Sequence, residues 1–375
     1  MVPAFTWRDG ERLIRFGRGV AAEAVQALGG PGYLLLTTPR AGAVLPAAGE
    51  AAAGVHHVAA GGVPELAASA LAWARSAGES DGRIVALGGG RVIDVAKAVA
   101  AALGERSGDE RRGEAGEASA VDEPSGRGRK PEARQTRGRE ASGRGRRARA
   151  MAIATTLSGA EMTRVHRHAA GVEDATPRVR CAVVVCDPAL AASQPEDELA
   201  ASALNALGHA FEGPCTVAAH PVAALVAHEA AQRLVGAFAG AEPDGDELAL
   251  GALLAGYTID TAGYGLHHVM AQTLVRLGHA RHGPANAVLL PYTTAALGWR
   301  FPVEHAALSE ALGEDPAAAA ARLCRRTGAT RLRDLGVVAS ALDGCADAAA
   351  RRRELDHTPP RADRAELRAL YDAAF

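Results

Sequence analysis

The chain is nearly without lysine: Lys97 and Lys130 are its only two, against 39 arginines. Each lysine it keeps therefore needs a reason. Aromatic residues are sparse at 4%, and alanine supplies much of the 48% hydrophobic content. Cysteines are few and scattered, and Cys181, Cys186, Cys215, Cys324 and Cys345 form no C-x-x-C pair. An odd, dispersed set argues against a zinc knuckle or a disulfide framework and for reduced thiols in a cytoplasm. Long apolar runs are lacking too: YLLLTT and AVVVC have the length of strands, far below a membrane span. The start MVPAFTWRDGERLIRFG lacks a charged lead, an apolar centre and a cleavage site, so no secretory signal is read there. With a formal net charge of −2, no overall field draws the chain to nucleic acid or to an acidic membrane. The expected partner is a small molecule.

A length of 375 residues accommodates two domains. GYLLLTTP reads as a strand ending in a turn, PELAASALAWARSAG as a helix, GRIVALGGG as a strand, and RVIDVAKAVAAAL as the helix after it. That alternation indicates βαβ units and a parallel sheet. Residues 104–149 break the pattern, with one valine and no leucine, isoleucine or aromatic residue. Such a segment cannot bury enough apolar surface to offset its ordering entropy, so a disordered insert is expected there. MAIATTLSGAEMT and RCAVVVCDP restore strand character, and from Glu196 onward the pattern is helical over 197–212, 220–240, 246–263, 266–277, 316–327 and 363–374. The expected organisation is an α/β domain over 1–190 and an all-helical domain over 191–375, with the site in the cleft between them.

Two constellations carry chemistry. In ALGGGRVIDVAK a strand enters Gly88, Gly89 and Gly90 and a helix leaves, with Asp94 and Lys97 in its first turns. Glycines allow backbone N–H groups close to a pyrophosphate, and the helix N-terminus favours its charge. This is neither G-x-G-x-x-G nor a P-loop, and glycine also serves many strand–helix turns for purely steric reasons. In the helical half, LNALGHAFEG sets Asn205 one turn before His209, and His267, His268, His279 and His282 fall within sixteen positions. Imidazoles converging from several helices can hold a divalent metal or move a proton, while any one of them alone is more often a satisfied core histidine.

Taken in order, GGGRVIDVAK, TTLSGAEMT, CDPAL, NALGHAFEG, GLHHVMAQTL and HGPANAVLLP resemble the iron-containing alcohol dehydrogenase family. TTLSGAEMT, the asparagine of NALGHAFE and the paired histidines of GLHH are most similar to its maleylacetate reductase branch. The resemblance implies a dehydroquinate synthase-like fold: an α/β nucleotide-binding domain with a parallel sheet, then an all-α domain, expected as a homodimer. It implies hydride transfer from NADPH or NADH, with Gly88, Gly89 and Gly90 at the pyrophosphate and Thr155, Thr156 and Ser158 lining the same groove. Thr37, Thr38 and Pro39 would lie by the adenine ribose. TTPR carries no carboxylate to repel a 2′-phosphate, and Arg40 could attract one, so NADPH is expected to be accepted. Lys97 stands where the family has lysine.

The family's metal positions map onto Asn205, His209, His268 and His282. An amide replaces the carboxylate that would offset a dication, so Fe or Zn is not favoured. The resemblance instead implies that His209, His268 and His282, with His267 beside them, form an electropositive pocket for a substrate carboxylate and a developing oxyanion. Gln272 replaces a histidine usual near the nicotinamide, Arg91 a serine after the glycines, and Ala154 a proline. The expected activity is reduction of a small carboxylated enone or keto acid. A metal-dependent alcohol dehydrogenase or aldehyde reductase, and a repurposed non-redox member of secondary metabolism, are the alternatives.

Overall fold

The computed structural model describes residues 2–77, 81–116 and 148–375, the side chains of 105–116 excepted. Among them β1 (Phe5–Asp9), β2 (Arg12–Phe16), β3 (Leu34–Thr37), β4 (Gly54–His57), β5 (Arg83–Gly88), β6 (Arg149–Ala154) and β7 (Val183–Cys186) build one sheet. The spatial order is β1-β2-β7-β6-β5-β3-β4. Every pairing from β2 to β4 is parallel, and β1 lies antiparallel on β2. The expected parallel sheet thus gains a hairpin at its edge. Its signal is Asp9-Gly10 between alternating residues, with Gly10 at φ 60°.

The inner strands are buried on both faces, as parallel strands must be. Leu34 and Leu36 of β3 and Ile84 and Ala86 of β5 face one core, and Leu35, Val85 and Leu87 face the other. The first of these cores runs on without a break into the helical domain. From β3 the chain steps outward to β4, and from β5 it steps the opposite way to β6 and β7. The crevice beyond the carboxyl ends of β3 and β5 is therefore the switch point at which open α/β sheets bind ligands.

The longer helices are α1 (Val63–Ser76) and α2 (Gly90–Gly116), then α3 (Glu196–Glu212), α4 (Pro221–Gly236), α5 (Gly245–Ala262), α6 (Leu266–Leu277), α7 (His282–Arg300), α8 (Pro302–Leu312), α9 (Pro316–Cys324), α10 (Ala341–Ala350) and α11 (Arg364–Ala374). Helix α2 continues to Gly116 and β6 begins at Arg149, so the expected insert loses both its ends to regular structure. Its remainder lies outside the described residues. Glu196, Asp197 and Glu198 favour the N-terminus of α3. From Leu199 to Glu212 that helix is almost wholly buried, and it forms the axis of the helical domain. No helix among the described residues is long and apolar enough to cross a membrane.

Candidate functional site

The glycine turn opens on the switch-point crevice, and close packing accounts for its composition. A Cβ on Gly88 would lie 2.8 Å from Val92, one on Gly89 2.8 Å from Thr156, and one on Gly90 3.0 Å from the Ser158 hydroxyl. The loop after β6 therefore lies directly over the turn, tied to it by the Thr155 N–H on the Gly88 carbonyl at 3.1 Å. Thr37 is buried with its hydroxyl on the Leu87 carbonyl at 2.8 Å, and Thr38 caps the short helix Pro39–Val44. A cavity of about 220 Å³ joins this region to the helical domain. Thr156 and Ser158 line it from the sheet side, and Glu198, Asn205, Arg281 and His282 from the helices.

Deeper in, α3 and α6 bring Asn205, His209, Glu212, His267 and His268 together. The rings of His209 and His268 stack at 4.7 Å. Asn205 donates to the Ser158 carbonyl at 3.3 Å, so the loop over the glycines also touches this cluster. Gly159 is required there: its φ is +70°, and a Cβ would lie 3.2 Å from the His209 ring. Glu212 is fully buried at the end of α3, with its carboxylate on the N-terminus of α6. It accepts the His267 N–H at 2.7 Å and His268 Nδ1–H at 2.6 Å. A carboxylate holding these donors keeps the proton of His268 on Nδ1, which leaves Nε2 for a ligand.

Burial sets the charge of the cluster. It pushes His267 and His268 down to about 3, His209 well below its ordinary value, and Glu212 up. Without a ligand the rings are neutral, so they do not form the electropositive pocket expected of them. The fixed positive charge comes from arginine. Gln272, one turn after His268, accepts from Arg352 at 3.1 Å, and Arg352 also pairs with Glu354 at 2.5 Å. That pairing holds Glu354 down at about 2.

Other expected residues have different surroundings. Lys97 is fully buried, donating to the carbonyls of Ala160, Thr163 and Val165 at 2.8–3.1 Å and pairing with Asp94 at 2.8 Å. Its donors are spent on holding the 160–165 loop, so it serves as a strut beneath the groove. His267 is wholly buried, with Nδ1 on the Thr293 hydroxyl at 2.8 Å and Nε2 packed on Gly208. It lies in the core with Nδ1 satisfied and Nε2 without a hydrogen-bond partner. His279 is exposed, with φ 55°, and His282 stands at the cavity rim. Arg40 lies 3.8 Å from Glu198 at the cleft.

A model of the Fe-containing alcohol dehydrogenase family, C-terminal part, matches residues 199–375. Maleylacetate reductase from Rhizobium sp. strain MTP-10005 is 28% identical over 389 residues, covering 99% of this chain and 97% of that one. Its crystal structure superposes with a TM-score of 0.73 at 26% identity, over 100% of this chain and 99% of that one. Over residues 199–375 the chain carries a domain of the Fe-containing alcohol dehydrogenase family. Its relatives are oxidoreductases. Maleylacetate reductase 2 of Cupriavidus pinatubonensis is 29% identical over 315 residues, or 80% of this chain and 75% of that one. The 1,3-propanediol dehydrogenase of Klebsiella pneumoniae is 30% identical over 212 residues, or 52% and 55%.

The family is iron-containing by name, which gives no support to the expectation that metal is disfavoured. Asn205 Oδ1, His209 Nδ1 and His268 Nε2 are buried without partners, and a cation would satisfy them. Yet the donor set holds no carboxylate, and its two central rings lie face to face. Among the described residues no three His, Cys, Asp or Glu side chains are arranged to hold an ion. As arranged, these residues do not fit a metal centre, and no step below is routed through one. A nicotinamide dinucleotide fits better: a glycine turn and helix N-terminus lie at the switch point, with the cavity beside them.

Sequence reasoning passed over Glu212, Tyr264, Thr293, Arg352 and Glu354. Glu212 had one available signal, its position three residues after His209 on the same buried helix.

Proposed function

We propose that the protein is an NAD(P)H-dependent reductase of maleylacetate reductase type, acting on a small carboxylated enone or keto acid. The observation that carries this reading is the single cavity shared by the loop over the glycine turn, Asn205 and His282. Beside it stands His268, oriented by a buried Glu212. When bound, the dinucleotide supplies a hydride to the substrate carbon. The chain supplies everything else. Gly88, Gly89 and Gly90 let backbone N–H groups reach the pyrophosphate, and Thr156 and Ser158 wall the groove toward the histidines. Asn205, held by the Ser158 carbonyl, keeps the two halves of the site in register. His268 Nε2 faces the oxygen on which charge develops and delivers a proton to it.

Burial keeps His268 neutral in the empty cleft, so its proton arrives together with an anionic substrate. Glu212 is what allows the imidazolium to form there, because its carboxylate neutralises the new charge. His209, stacked on the ring, fixes its plane and keeps water from that face. TTPR offers no carboxylate against a 2′-phosphate and places Arg40 at the cleft, which supports acceptance of NADPH. Purified protein mixed with NADPH and maleylacetate, 2-oxo acids and aldehydes tests the reading by absorbance at the nicotinamide band. Absence of cofactor oxidation across the whole panel sinks it.

The three unpartnered acceptors favour a second reading, a metal-dependent alcohol dehydrogenase in which Asn205 lends its amide oxygen. Near one equivalent of Fe or Zn by elemental analysis, with activity lost to a chelator, would select it.

A further inference from the structure

A neutral histidine cluster leaves open what recognises the charge of a carboxylated substrate. Arg352 has the geometry for it. Its Nε and Nη2 grip Glu354 at 3.0 and 2.5 Å, and Nη2 also reaches Gln272 Oε1 at 3.1 Å and the Tyr264 hydroxyl at 3.4 Å. Nη1 is buried and has no partner. A guanidinium N–H left unpaired away from water costs free energy that a ligand oxygen recovers. The contacts to Glu354, Gln272 and Tyr264 fall on Nε and Nη2 and fix the plane of the fork, and Nη1 is left to donate to a carboxylate oxygen.

The position ties this edge to the reacting centre. Gln272 follows His268 by one turn of α6, so their Cβ atoms are separated by about 5–6 Å on one helix face. The Tyr264 ring bridges the same gap, 5.8 Å from the His268 ring on one side and hydrogen-bonded to Arg352 on the other. His268 and Arg352 thus lie along the same stretch of α6 with Tyr264 between them. Positive charge is also concentrated here. Burial, and then the like charges of Arg352 and Arg167, depress the Arg276 guanidinium. Glu354 is the acidic side chain that pairs with Arg352.

We propose that Arg352 is the specificity-determining residue of the site, its vacant Nη1 edge binding the remote carboxylate of a short keto or enone dicarboxylate whose carbonyl lies against His268. The proposal rests on the reductase reading for the carbonyl and stands apart from it for the carboxylate. Glu354 and Gln272 position the guanidinium, and Tyr264 stands between it and the His268 ring.

The test compares the parent with Arg352→Met and Arg352→Lys. Fumarate, which carries two carboxylates and no carbonyl to reduce, is titrated by calorimetry into protein saturated with NADPH. NADPH oxidation is then followed with a keto dicarboxylate and with butyraldehyde. Arg352→Met is expected to weaken fumarate binding and raise the keto-dicarboxylate KM by about 30- to 100-fold. Its butyraldehyde KM should stay within about twofold of the parent's, and Arg352→Lys should fall between. Fumarate affinity and keto-dicarboxylate KM unchanged in a folded Arg352→Met would overturn the proposal. Should Arg352→Met fail to fold, Arg352→Gln, which keeps a donor toward Glu354 and removes the guanidinium, must produce the same loss. If the parent reduces nothing, the reductase reading falls, while arginine-dependent fumarate binding still decides the role of Arg352.

Discussion

His268 and Glu212 share one hydrogen bond of 2.6 Å, with the carboxylate fully buried and the ring nearly so. The pair joins the end of α3 to the start of α6, and it fixes which nitrogen of His268 remains for chemistry. Glu212→Gln preserves the shape and removes the charge that sustains the imidazolium. Turnover in the reductive direction should fall about 100-fold, with the loss growing as pH rises. Turnover within threefold of the parent from pH 6 to 9 would remove His268 from proton delivery.

The buried rings also govern stability against pH. Unfolded histidine titrates near about 6.5, whereas folded His267 and His268 remain neutral to about 3 and His166 to about 4, with His209 also well below its ordinary value. Between those limits the unfolded chain binds more protons at these positions, so stability rises with pH. Glu161, raised to about 7, acts in the opposite sense, because over this range it keeps a proton that an unfolded carboxyl has lost, and the upward direction of Glu212 adds to it. Four rings outweigh two carboxyls. Tm should therefore fall as the pH is lowered from 7 to 5, and a flat or rising Tm in calorimetry would show that these rings are charged in the fold.

Lys97→Met removes an ammonium from three carbonyls and leaves them buried and unpaired. The expected cost is about 3–5 kcal/mol of unfolding free energy, read from the midpoint in urea. A loss of cofactor affinity with no loss of stability would instead put Lys97 at the nucleotide.

Gly89→Ala sets a methyl group 2.8 Å from the Thr156 side chain and forces the loop off the turn. NADPH binding, followed by its fluorescence, should weaken at least about tenfold for a change of roughly 1.4 kcal/mol or more. Unaltered binding would move the dinucleotide away from this turn.

Asn205→Asp restores a negative charge beside His209, His268 and His282. Its Fe or Zn content after growth in supplemented medium should exceed that of the parent. Equal content would mean that the stacked pair of His209 and His268 cannot open around an ion.

Much of this architecture is written in local pattern. GRIVALGGG and RVIDVAKAVAAAL announce a strand, a turn and a helix because burial, glycine and helical period agree within a dozen residues. The helix that begins at His282 is missing from the helical segments expected of the sequence, since Pro284 and Pro291 punctuate it; Pro284 occupies its first turn, where the missing N–H costs nothing. Asn205, His209 and His268 were legible as a set through family resemblance, but their charge was not. Whether an imidazole is protonated depends on how much protein surrounds it, and sequence does not display that. Lys97 misled for the same reason: a lysine after a glycine turn suggests phosphate, and only the path of residues 160–165 reveals three carbonyls enclosing it. Arg352 had no local signal, because its meaning comes from Gln272, 80 positions earlier in the chain.

Helix α6 depends on residues far beyond it. Thr358 accepts the Leu266 N–H across 92 positions, and the Tyr371 hydroxyl reaches the Met270 carbonyl across 101. A chain still emerging from the ribosome can possess every histidine of the site while the helix that aims them lacks its moorings. A chain shortened before Tyr371 would therefore carry His267 and His268 on a helix that has lost this tether.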